Sequence, residues 1–119
     1  MEISEPAILI RINQKYQEGM NGQALFEITR GVWKLGSRRE NALLAFAVYK
    51  GIVKEVYIID SWHPAGTLPY HTRKDVHIPD RWDFQGKLAP DAIRDKYLDE
   101  SVEEYFSKHA QNPIAYVNC

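Results

Sequence analysis

Two tryptophans carry the chemistry that this sequence suggests most directly. Trp33 sits next to Lys34 and just ahead of Arg38 and Arg39; Trp62 stands between Ser61 and His63. An indole offers a flat apolar face, and base stacking on such a face contributes about 1–3 kcal/mol per base. Neighbouring cations can meet the phosphates of the same strand. Edge-of-core packing is the competing role for both rings. A second set, His63, His71 and His77 with Asp60, Asp75 and Asp80, has the donor atoms of a metal site or of a small hydrolase or nuclease. Its spacing matches no metal motif and does not put ligands on one helical face. Carboxylates such as Glu55, Asp60, Asp75 and Asp83 could converge for hydrolysis, but any domain holds such sets.

Other motifs fall away on chemical grounds. Gly31-Val32-Trp33-Lys34-Leu35-Gly36-Ser37 has the glycine spacing of a phosphate loop but lacks the lysine that must follow the second glycine. Gly19-Met20-Asn21-Gly22 has the outline of a GxxG clamp, a pattern common by chance. No GxSxG elbow exists, and the single cysteine, Cys119, is terminal. No catalytic residue and no cofactor is therefore expected. One cysteine excludes an internal disulfide and a Cys-rich zinc site, and it suits a reducing cytoplasm.

These residues need a scaffold, and the chain is long enough for one domain spanning residues 1–119. Apolar residues make up 45% and charged residues 26%, the balance of a folded globule. The longest apolar run, Ala42 to Tyr49, is far below the roughly 20 residues of a membrane span. Net charge is −1, yet charge is unevenly spread. Arg11 to Lys54 is mostly basic, whereas Leu88 to Phe106 carries Asp91, Asp95, Asp99, Glu100, Glu103 and Glu104. One face that meets an anion and one that stays solvated would follow. The acidic segment also leaves open a protein-interaction domain.

The expected element order is β-α-turn-β-β-loop-β-α-α-β. Ala7 to Asn13 reads as a strand. Asn21 caps a helix with Ala24, Leu25 and Ile28 on one face, ended by Gly31. Ser37-Arg38-Arg39-Glu40 and Ser101-Val102-Glu103-Glu104 read as capping boxes. Leu43–Tyr49 and Ile52–Asp60 read as a hairpin around Lys50-Gly51. Ser61 to Asp80 reads as a long loop, a length usually kept for function. Arg81 to Leu88 is a strand with Trp82, Phe84 and Leu88 inward, Pro90 opens a helix, and Ile114 to Val117 is a last strand. Hairpins with helices set between them point to an α+β fold and a small twisted barrel.

The segment from Ile8 to Gly66 resembles the first half of the PUA-like superfamily, which includes EVE, ASCH, SRA and YTH modules. The likeness lies in the strand Ile8-Leu9-Ile10-Arg11-Ile12-Asn13-Gln14, the helix ending at Gly31-Val32-Trp33, the hairpin, and Trp62 in Ser61-Trp62-His63-Pro64-Ala65-Gly66. It implies a pseudo-β-barrel of about five to six strands with helices at its ends. It also implies a non-enzymatic reader of a modified or flipped nucleic-acid base. Trp33 and Trp62 would wall an aromatic cage. Asn13 and Lys34 would bond the base edge, and Arg38, Arg39 and Arg73 would meet phosphates. The partner would be DNA or RNA, with a separate nuclease or methyltransferase acting alongside.

Overall fold

The computed structural model describes residues 2–74, 76–107 and 111–119. Five strands form one mixed sheet. They are β1 (Ala7–Arg11), β2 (Leu44–Tyr49), β3 (Ile52–Pro64), β4 (Trp82–Leu88) and β5 (Ile114–Val117), in the order β4-β3-β2-β1-β5. β1 runs parallel to β2 and antiparallel to β5; the other pairs are antiparallel. A parallel pair needs a crossover of a dozen or more residues. The segment between β1 and β2 supplies it and contains helix α1 (Gly22–Arg30). Helix α2 (Asp91–Tyr97) follows β4.

Both faces of the sheet are covered, which explains why its central strands read as unbroken apolar runs. On one face Leu9, Phe46, Val48, Val53 and Val56 pack with Tyr97 of α2 and with Val102. On the other, Ile8, Ile10, Ala45, Ala47, Tyr57 and Phe84 pack with Ile28 of α1. The hairpin forms as its sequence predicts. Tyr49 pairs with Ile52 across a two-residue turn, with Lys50 at φ 50° and Gly51 at φ 79°. Two consecutive positive φ values match the hairpin twist, and a glycine lowers their cost. Leu43 stays outside β2 and is exposed.

Asn21 caps α1 as expected, its Oδ1 accepting from the Ala24 amide at 2.8 Å. The two capping boxes do not form. Each site holds a short 3-10 turn instead, at Ser37–Asn41 and Glu103–Tyr105. Neither turn has a capping side-chain bond, and Glu40 pairs with Arg39 at 3.1 Å. The N-cap positions fall on Gly36 and Val102, so neither serine sits where a reciprocal cap forms.

Two further expectations change. β3 runs on to Pro64, past a register shift between Ile59 and Ser61, so Trp62 is a strand residue opposite Phe84. A bulge of this kind lets a long strand continue on a new alternation. Leu88 lies at the end of the edge strand and is exposed, while Phe84 on the same strand is fully buried. Among the described residues no helix is long and apolar enough to cross a membrane.

Candidate functional site

The segment after β3 closes on itself. The Ala65 amide donates to the Arg81 carbonyl at 2.8 Å, so residues 66–80 form a loop with adjoining ends. Helix α1 grips that loop. Four consecutive α1 residues, Glu27 to Arg30, are buried, more than one amphipathic stripe can bury against a sheet. Ile28 faces the sheet core, and Glu27 and Arg30 face the loop.

Glu27 is the centre of the grip. It accepts from the amides of His71 at 3.0 Å and Thr72 at 2.8 Å, from the Thr72 hydroxyl at 2.8 Å, and from the Gln23 side chain at 2.5 Å. Burial would raise its carboxyl pKa. The surrounding donors outweigh burial and hold it down to about 2. Arg30 donates to the Pro69 carbonyl and lies over the Tyr70 ring, 4.0 Å from its centroid. Arg73 donates to the carbonyls of Glu27, at 2.9 Å, and Gly31. Its own pKa is lowered, chiefly by burial.

Gly31 has a specific steric role. A Cβ placed there would lie 2.0 Å from Asp83 Oδ1 and 2.2 Å from the Tyr70 hydroxyl. Asp83 is fully buried and its Oδ2 accepts from the Gly66 amide at 3.2 Å. Burial first, and the Asp83 charge second, push the Tyr70 hydroxyl above its ordinary value.

This clamp carries the loop to the edge of a cleft of about 850 Å³. The cleft lies between the end of β1, the stretch after α1, the loop and the residues leading into β5. Its lining holds the cations Lys15, Lys34, Arg73, Lys74 and Arg81 and no carboxylate among the described residues; Arg11 borders it too, but its guanidinium lies over the Phe106 ring on the α2 side, 4.0 Å from the centroid. Trp33 and Asn13 line it too, above a partly apolar floor that includes Ile12, Ile28 and Ile78. Trp33 is held by its Nε1, which donates to the Thr29 carbonyl at 2.7 Å, and by paired backbone bonds to Trp82. Asn13 Oδ1 accepts from the Lys50 amide at 3.0 Å.

The structure thus brings together Asn13, Trp33, Lys34 and Arg73. It places Trp62, Arg38 and Arg39 outside the cleft lining. Trp62 packs edge-on against Phe84, ring centroids 5.3 Å apart. Arg38 donates to the Cys119 carbonyl at 2.7 Å and lies over the Tyr116 ring. Arg39 covers the Trp82 ring at 3.5 Å.

The histidines are dispersed in role. Ser61 Oγ lies 2.7 Å from His63 Nε2, His77 packs against Gly66, and His71 offers its backbone to Glu27. Among the described residues no three His, Cys, Asp or Glu side chains are placed to hold a metal. Asp75 lies outside the described residues. Glu55 is engaged by Arg94 at 2.8 Å.

Sequence reasoning missed Glu27, along with Lys15, Lys74 and Arg81 as parts of one site. A signal for Glu27 existed. The first turn of α1 has no acid, and its one carboxylate lies near the C-terminal end, where the helix dipole disfavours it. A charge at the wrong helix end implies a tertiary partner. No family model, curated protein or solved structure matches the chain.

Proposed function

We propose that the chain is a non-enzymatic nucleic-acid-binding module whose site is the cationic cleft. The observation that carries the reading is the lining: five cations, Lys15, Lys34, Arg73, Lys74 and Arg81, without a carboxylate among the described residues, beside a tryptophan. On a chain of net charge −1, such a one-sided lining concentrates positive potential where a strand of phosphates can enter. In this reading Trp33 stacks on a base, Asn13 and Lys34 bond its edge, and Arg73 with its cationic neighbours meets phosphate. Trp62 is not part of the lining, so stacking rests on Trp33, and Arg38 and Arg39 act at most at long range.

A PUA-like pseudo-barrel belongs to the same proposal. In its favour, Trp33 bridges to Trp82 on β4, and the cleft takes Trp33 and Arg81 near that strand and Pro113 and Ile114 from the β5 side. A module of this kind would work in the cytoplasm beside a nuclease or methyltransferase from another chain. The free thiol of Cys119 fits that compartment.

The test is a titration with labelled oligonucleotides at several salt concentrations. Lys34→Ala should weaken binding across sequences and lower the salt slope by about 1. Trp33→Ala should lose roughly 1–3 kcal/mol of binding. Affinity unchanged in both variants at low salt removes the cleft as the site.

A further inference from the structure

The cleft is not only cationic; of its four side-chain amides, Gln14 and Gln111 can donate or accept, whereas Asn13 and Asn112 are held with their donors outermost. The backbone amides of Lys50 and Ile114 donate to Asn13 Oδ1 and Asn112 Oδ1, each at 3.0 Å. Only an oxygen can accept from a backbone N–H, so both amide groups are fixed in orientation and each keeps its NH2 as a donor. Five of the lining carbonyls are already engaged. Ile12 accepts from Tyr16, Gly31 from Arg73, Val32 from Arg81, Trp33 from Trp82 and Pro113 from Arg11. With the cations added, a ligand that reaches Asn13 and Asn112 meets donors and must itself bring acceptors there.

We propose that the cleft selects single-stranded nucleic acid through keto bases, uracil or thymine and guanine, over adenine and cytosine. This rests on the nucleic-acid reading of the cleft. Keto bases present O4 or O6 and N7 acceptors, whereas the exocyclic amines of adenine and cytosine are donors that would face Asn13 and Asn112. The single-strand preference follows from shape. Duplex grooves are read by a helix or ribbon that projects into them. Here the cations and Trp33 line a recess, which an unstacked base and its flanking phosphates can enter.

Fluorescence anisotropy with the intact protein tests this. The probes are oligo(dT), oligo(rU), oligo(dC) and oligo(dA) of about ten nucleotides, within the length small modules cover, together with the dT·dA duplex. Oligo(dT) and oligo(rU) should each bind about tenfold more tightly than oligo(dC) and oligo(dA), the discrimination one good base contact provides. The ratio between oligo(dT) and oligo(rU) assigns DNA or RNA as the source. Asn13→Asp keeps the acceptor for the Lys50 amide and turns the remaining donor into an acceptor. It should narrow the gap between oligo(dT) and oligo(dC) severalfold. Asn112→Asp makes the same test from the other side of the cleft should the first variant fold poorly. Equal binding of all four single strands, with ordinary salt dependence, overturns keto selection and leaves the nucleic-acid reading standing. Tighter binding of the duplex overturns the single-strand preference. No binding of any probe at low salt overturns both.

Discussion

The two faces of the sheet are closed by different physics. Under α2 the cover is apolar: Phe46 and Tyr97 pack with ring centroids 5.0 Å apart, both fully buried. Its polar groups lie at the rim, where Arg94 meets Glu55 and Lys96 meets the Ser4 hydroxyl. Under and beside α1 the cover includes charge. Glu27, Thr29, Arg30 and Asp83, the buried polar and charged side chains among the described residues, belong to this side. Burying charge is costly unless it is fully paired, and apolar packing closes a face with less risk. The polar side does what the apolar side does not: it fixes a loop of otherwise irregular chain in one position beside the cleft. One face supplies stability and the other supplies geometry.

That contrast can be broken most forcefully from the α2 side. Phe46→Ala should destabilise the fold by about 3–5 kcal/mol. Oligonucleotide affinity of the fraction still folded should be unchanged. Chemical denaturation with a titration below the transition checks both, and a loss of affinity matching the loss of stability would dissolve the division between the faces.

Glu27→Gln tests the polar side. The substitution keeps the volume but turns one acceptor into a donor facing the His71 and Thr72 amides, at a cost of about 1–3 kcal/mol. Here binding should also weaken, because Arg73 loses its fixed approach to the cleft. The pH dependence has a definite sign. With a folded pKa of about 2 against an ordinary glutamate value of 4.5, the unfolded chain binds the proton more readily. Glu27 therefore stabilises the fold fully above about pH 5, and this contribution is lost as pH falls from there towards 2. Allowing for nearby solvent, the amount is on the order of 2 kcal/mol. Stability curves of Glu27→Gln and the parent should converge in acid. Parallel curves across that window would show that Glu27 does not hold its charge in the clamp.

The smallest effect belongs to the rim of the α2 face. Arg94→Ala removes a partly exposed ion pair and should cost at most about 1 kcal/mol, with no change in binding. A larger loss in denaturation would mean that this rim, too, depends on charge.

How much could be read in the chain divides along the same line. Asn21 before an apolar-periodic stretch and Lys50-Gly51 between two β-branched runs each act within a few residues, and each forms the element expected of it. Ser37 and Ser101 do not act as capping boxes because each turn takes its N-cap one residue away, at Gly36 and Val102. The sequence around Trp62 reads as loop because the register shift near Asp60, which lets β3 continue, arises from pairing with β4 and leaves no local trace.

The sequence by itself determined the order of the five strands and of α1 and α2, the hairpin, and Trp33 with Lys34 as neighbours, but not that the expected last helix is only a 3-10 turn. Periodicity, turn chemistry and backbone preference act over a few residues, and so they are legible in one dimension. Tertiary structure alone decided that Lys34, Arg73, Lys74 and Arg81 share a cleft and that Trp62 does not line it. It also decided that Glu27 is a buried anchor 44 residues from the His71 amide it accepts. Those outcomes depend on which distant groups satisfy one another's charge and hydrogen bonds once the chain has folded, and no local pattern encodes that choice.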